Sequence, residues 1–146
     1  YSDINVRDGA TLIVSRGLQE IASFEKADAF DRASLARAKP TPTVAVVSGL
    51  YELFPDNAML ERSLAGLADA MPAGGCLVYT GQPWHPQLEL IARALTSHRG
   101  GAAWVMRRRT QQEMDQLVAA AGFRKVTQRI DEWGIFTVSM AVREAR

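Results

Sequence analysis

Two short apolar runs, TVAVVS at residues 43–48 and CLVYTG at residues 76–81, flank a single helical stretch, and this arrangement constrains the fold more than any other feature. The first run is β-branched and reads as a strand buried on both faces; the second reads as another buried strand. Between them Leu60, Leu64, Leu67 and Met71 fall on one helical stripe, with Asp56 placed to cap its start. A strand, an amphipathic helix and a second strand predict an α/β domain with a mostly parallel sheet. At 146 residues, 47% apolar and 23% charged, the chain has the size and balance of one ordinary globular domain with one core.

The same alternation extends outward. Leu12, Ile13 and Arg16 predict a helix over 8–16, and Gly17 supplies its stop. EIASFE at 20–25 alternates like a short strand, and residues 30–38 read as a short helix that Pro40 and Pro42 end. Pro86 suits the first turn of a helix carrying Leu88, Ile91, Ala92 and Leu95 at i, i+3, i+4 and i+7. Thr110 and Glu113 form a capping-box pattern ahead of Met114, Leu117, Val118 and Ala121, and Gly122 ends that helix. KVTQRID and GIFTVSMAV, separated by little more than Glu132, Trp133 and Gly134, predict an antiparallel hairpin. The expected architecture is a doubly wound, mostly parallel sheet closed by that C-terminal hairpin.

In such sheets ligands sit beyond the carboxyl ends of the strands, where strand order reverses. Ser48–Glu52 and Thr80–His85 should therefore border one crevice. Tyr51 and Glu52 are candidate contacts there, or else one packed and one solvated residue on the approach to a helix. His85, between Trp84 and Pro86, is a candidate general base because imidazole titrates near neutrality; its plainer reading is a loop or capping histidine. His98 suits a helix C-terminus. Arg107, Arg108 and Arg109 read as a solvated edge with snorkelling stems, or as a contact for an anionic headgroup. Trp84, Trp104 and Trp133 belong to core or rim.

Several function classes are disfavoured. A net charge of +1 supplies no bulk field for nucleic acid or a membrane surface, and no apolar run is long enough to span a bilayer. Two histidines and one cysteine give no metal-ligand spacing, and G-x-S-x-G is absent. Cys76 cannot form an internal disulfide and reads as a small buried hydrophobe, consistent with a reducing cytoplasm.

The series ADAF, VVSGLYELF, AGGCLVYTGQPWHP, AAAGFRKV and the final hairpin resembles the later two-thirds of a class I S-adenosylmethionine-dependent methyltransferase. More narrowly, it resembles a bacterial methyltransferase group sometimes fused behind an α/β-hydrolase domain. The resemblance covers nearly the whole chain and implies S-adenosylmethionine as cofactor. It implies that Asp28, the acid after the family's third strand, accepts from the adenine amino group, with Ala29 and Phe30 flanking the ring. A helix cap is the other reading of Asp28. It further implies that Ser48, Gly49 and Leu50 pass beside the methionine portion, where Gly49 allows close backbone approach, and that Tyr1 and Ser2 lie beside the adenosine. Tyr51, Glu52 and His85 would then face the acceptor.

The sequence departs from the family pattern at its start. Neither the glycine-rich loop of the first strand nor the ribose-gripping acid of the second is present, and Asp3 falls late for that role. The expectation is a partial domain, residues 1–146, belonging to a longer or fused chain, with a small-molecule or lipid methyl acceptor and with homo-oligomerisation open. Methyl transfer by direct displacement needs alignment and exclusion of water more than a compact catalytic motif. Two rivals remain: a nicotinamide-dependent oxidoreductase, which needs a G-x-G-x-x-G that this chain lacks, and a non-catalytic scaffold that binds a partner.

Overall fold

The computed structural model describes residues 2–95 and 107–145. Tyr1, His98 and Trp104 lie outside the described residues. Among the described residues four strands form one sheet: β1 (Val44–Val47), β2 (Cys76–Gly81), β3 (Phe123–Ile130) and β4 (Thr137–Arg143), in the order β1-β2-β4-β3. β1 and β2 are parallel, from Val44 opposite Cys76 to Val47 opposite Tyr79, while β2/β4 and β3/β4 are antiparallel. The sheet is therefore mixed, not mostly parallel, because the C-terminal hairpin supplies both antiparallel pairings.

The helices are α1 (Asp3–Ser15), α2 (Arg32–Ala36), α3 (Asn57–Ala70), α4 (Leu88–Ala94) and α5 (Gln111–Ala120), with a 3₁₀ turn at Tyr51–Leu53. Asp56 caps α3, its carboxylate accepting from the Ala58 amide at 2.9 Å, as the sequence predicts. Thr110 caps α5 by accepting from the Glu113 amide at 3.1 Å. The Glu113 carboxylate does not return to close the capping box. It accepts from Asn57 Nδ2 at 2.9 Å and pairs with Arg107. Gly122 ends α5 at φ +87°, a conformation that favours glycine.

One core joins helices to sheet. Leu60, Leu64 and Ala68 of α3 and Met114, Leu117 and Val118 of α5 pack with Leu77, Tyr79, Phe123 and Ala141 of the strands. Burial at alternate positions gives β4 its period of two, with Thr137, Ser139, Ala141 and Arg143 buried. Arg143 is buried but satisfied: its guanidinium donates to the carbonyls of Ala68, Gly122 and Glu144.

Two expectations fail, for one reason. Residues 20–25 form no strand; the Ala22 amide instead donates to Leu18 O in a turn, and Phe24 packs its ring against Gly9, where a Cβ would come within 2.6 Å. A strand needs a neighbour to take its backbone groups, and none is present beside this segment among the described residues. Nor is β1 buried on both faces: Val44 and Val46 are 58% and 67% exposed. With Val138, they lie on the face opposite α3 and α5, and no described helix covers them. At these positions the double winding expected from sequence is not observed.

Candidate active site

The chain reverses direction just beyond β1. Gly49 adopts φ +64°, and a Cβ there would meet no atom within 4 Å, so its flank is open to an incoming group. Its amide donates to Thr80 Oγ1 at 2.8 Å, and that hydroxyl donates in turn to Glu52 Oε1 at 3.1 Å. The two loops predicted to border one crevice are thus joined by hydrogen bonds. Glu52 is only 7% exposed, and its second oxygen, Oε2, is buried with no hydrogen-bond partner among the described residues.

Tyr51 has another job. Its hydroxyl shares a hydrogen bond with Ser63 Oγ at 3.0 Å inside the core, and burial pushes its pKa up to about 12. A neutral phenol turned into the core does not face the crevice, so the expected reacting residue is a packing residue. His85 Nδ1 accepts from the Gln87 amide at 3.1 Å, which caps the turn into α4. While that bond holds, a neutral ring carries its proton on Nε2 and can donate into the crevice but not accept from it.

The arginine run is not a solvated edge. Arg109, 6% exposed, donates to Tyr51 O at 2.8 Å, Phe54 O at 2.9 Å and Asn57 Oδ1 at 2.8 Å. Arg107 donates to Pro55 O and pairs with Glu113, and its amide reaches Glu52 O. Together these clasp the carbonyls of the 3₁₀ turn and hold Glu52 in place. Burial lowers the pKa of Arg108, while the charge of Glu52 opposes that shift. No sequence pattern marks Arg109, because its partners are carbonyls more than fifty residues away.

Of the remaining predicted residues, Ser48 and Gly49 are exposed at the strand end and Leu50 packs partly on the core. Asp28 is exposed; one carboxylate oxygen accepts from the Phe30 amide at 2.9 Å, while the cap of α2 is Asp31. Ala29 is half-buried beside it, and Phe30 is buried with its ring edge-on to Phe54, centroids 4.5 Å apart. That contact brings the Asp28–Phe30 turn against the 3₁₀ turn. Ser2 caps α1 by accepting from the Asn5 amide. Cys76 is half-buried, and Trp84 and Trp133 are exposed rim residues.

Next to Glu52 lies a cavity of about 310 Å³, whose lining includes the apolar Leu53, Ile91, Leu95 and Phe136 and the polar Gln82, His85 and Arg108. That is the small end of the range of about 300–1,000 Å³ usual for small-molecule sites.

Residues 1–143 match the family described as "Putative methyltransferase". The chain belongs to that family. It is also 62% identical over 143 residues to the uncharacterized protein YnbC of Escherichia coli (strain K12), covering 98% of this chain and 24% of that protein. The chain thus spans about a quarter of the length of that relative. Among solved structures, an S-adenosylmethionine-dependent methyltransferase from Methanosarcina mazei is similar at TM-score 0.70 and 16% identity, covering 99% of this chain and 80% of that one. Another, from Clostridium acetobutylicum ATCC 824, is similar at TM-score 0.72 and 7% identity, covering 99% and 73%. At these identities the likeness is one of fold: an α/β, Rossmann-like arrangement of the class I S-adenosylmethionine-dependent methyltransferase kind. Among the described residues no helix is long and apolar enough to cross a membrane.

Proposed function

We propose that this chain is part of a longer cytoplasmic enzyme that transfers a methyl group from S-adenosylmethionine to a small-molecule acceptor at the carboxyl ends of β1 and β2. The observation that carries the reading is the Gly49 turn. Its open flank and positive φ let a ligand approach the backbone, and Thr80 and Glu52 hold it rigid from behind. On this reading Ser48–Leu50 lie along the methionine portion, and the exposed carboxylate of Asp28, one turn away across the Phe30–Phe54 contact, takes the adenine amino group. The donor supplies an already activated methyl; the chain's own residues orient the reactants and exclude water.

The residues that would grip the ribose are proposed to come from strands preceding Tyr1 and pairing along the open edge of β1. Calorimetric titration of the longer protein with S-adenosylmethionine, with NAD as the control, tests the reading. Binding of S-adenosylmethionine is expected, and Asp28→Ala should weaken it by ~1.5–3 kcal/mol, the size of a hydrogen bond to a charged group. Binding of NAD alone would transfer the site to hydride chemistry. Binding of neither would leave a scaffold with this fold.

A further inference from the structure

Resting on that reading, we propose that Glu52 takes the acceptor's proton and that the acceptor is a compact, uncharged, mostly apolar molecule carrying one hydroxyl or N–H. The geometry at Glu52 is that of a carboxylate held on one side and left unpaired on the other. Oε1 is held by Thr80, which is held by Gly49, while Oε2 is buried and unpartnered among the described residues. A buried carboxylate oxygen without a donor is costly, and an incoming X–H would complete it. The other candidates are committed elsewhere: the Tyr51 hydroxyl to Ser63, and His85 Nδ1 to Gln87.

The cavity beside Glu52 describes the rest of the molecule. Leu53, Ile91, Leu95 and Phe136 line it, with Leu95 and Phe136 52% and 45% exposed, so an apolar body would cover them. Its two charged lining groups, Glu52 and Arg108, are of opposite sign, and Arg107 and Arg109 are bound to backbone carbonyls, Glu113 and Asn57. Among the described residues no surplus of positive charge awaits a phosphate or sulfate, which argues against an anionic headgroup. In the reaction the acceptor atom bonds to the methyl carbon, the carbon–sulfur bond breaks with its electron pair left on sulfur, and the acceptor's proton passes to Glu52 and then to solvent. The products are the methylated acceptor, the thioether and one proton.

The test uses the longer protein and three probes with one apolar body: 4-ethylphenol, its methyl ether 4-ethylanisole, and 4-ethylphenyl phosphate. Binding is followed by ligand-observed NMR in the presence of S-adenosylmethionine, and transfer by label from the methyl group. 4-Ethylphenol should bind about tenfold or more tighter than its ether, a difference of the size of one hydrogen bond to a charged acceptor, and the phosphate should be the weakest. Glu52→Gln keeps an oxygen for Thr80 and should abolish the phenol-over-ether preference and the transfer, with S-adenosylmethionine still bound. Phe136→Ala, at an exposed position, should weaken phenol and ether alike and keep the preference. Equal binding of phenol and ether, a preference surviving Glu52→Gln, or tightest binding by the phosphate each overturns the proposal. Loss of S-adenosylmethionine binding in the wild-type protein would overturn the underlying reading instead.

Discussion

Helices α1 and α3 have nearly the same length, 13 and 14 residues, and each begins at a capping side chain, Ser2 or Asp56. Their fates differ. α3 buries Leu60, Ser63, Leu64, Gly66, Ala68 and Ala70, whereas α1 buries only Gly9 and leaves Ile4, Leu12 and Val14 at least half exposed. The same contrast divides the chain: among residues 2–42 only Gly9 and Phe30 are buried, while the core is drawn from the 3₁₀ turn, α3, α5 and the sheet. Caps and propensity suffice to shape a helix, but burial requires a surface to meet. α1 and the outer face of β1 carry apolar side chains whose partners are not among the described residues.

That comparison can be broken most easily at Leu64. It is fully buried, and Leu64→Ala should cost about 2–5 kcal/mol in chemical denaturation, whereas Leu12→Ala, at a position 55% exposed, should change stability by less than about 0.5 kcal/mol. Comparable losses at the two sites would mean that α1 packs in solution as tightly as α3.

Alkaline titration sharpens the packed side. Burial holds Tyr51 and Tyr79 at about 12, while an unfolded phenol ionises near 10. As pH rises the unfolded chain loses these protons first. Their contribution is intact below about pH 10 and is lost between about pH 10 and 12, on the order of 2–3 kcal/mol for Tyr51 and less for Tyr79, whose hydroxyl reaches the partly exposed Asp115. Denaturation midpoints measured across that window should fall, and Tyr51→Phe should remove more than half of the decline. A flat profile would show both hydroxyls to be in contact with water.

The smallest effect is expected at the open face. Val46→Thr, at 67% exposure, should shift the stability of these residues in isolation by less than about 0.5 kcal/mol. In the longer protein the same substitution should cost more, about 1 kcal/mol or above, if preceding strands and their helices cover that face. An equal, negligible effect in both would mean that this face is uncovered in the longer protein as well.

The parts legible in sequence were those written by neighbours along the chain. The capped start of α3, the Thr110 cap of α5, the glycine stop at Gly122 and the hairpin of β3 and β4 all follow from patterns within about ten residues, because caps, periodicity and turns are local interactions. The placement of one crevice between the ends of β1 and β2 was legible too, since strand–helix alternation dictates which strand ends lie together. What only the tertiary structure decided were contacts between distant residues. Alternation in EIASFE could not make a strand without a neighbour to bond, and a β-branched run could not bury both faces of β1 without a second layer. Arg109 reaches back 58 residues to Tyr51 O, and Thr80 reaches back 28 to Glu52, so neither left a mark in its own stretch of sequence. Tyr51 and Glu52 stand side by side in the chain. The turn after β1 sends the phenol into the core and leaves one carboxylate oxygen without a partner, because backbone direction and the packing around it, rather than residue type, select which side chain meets the crevice.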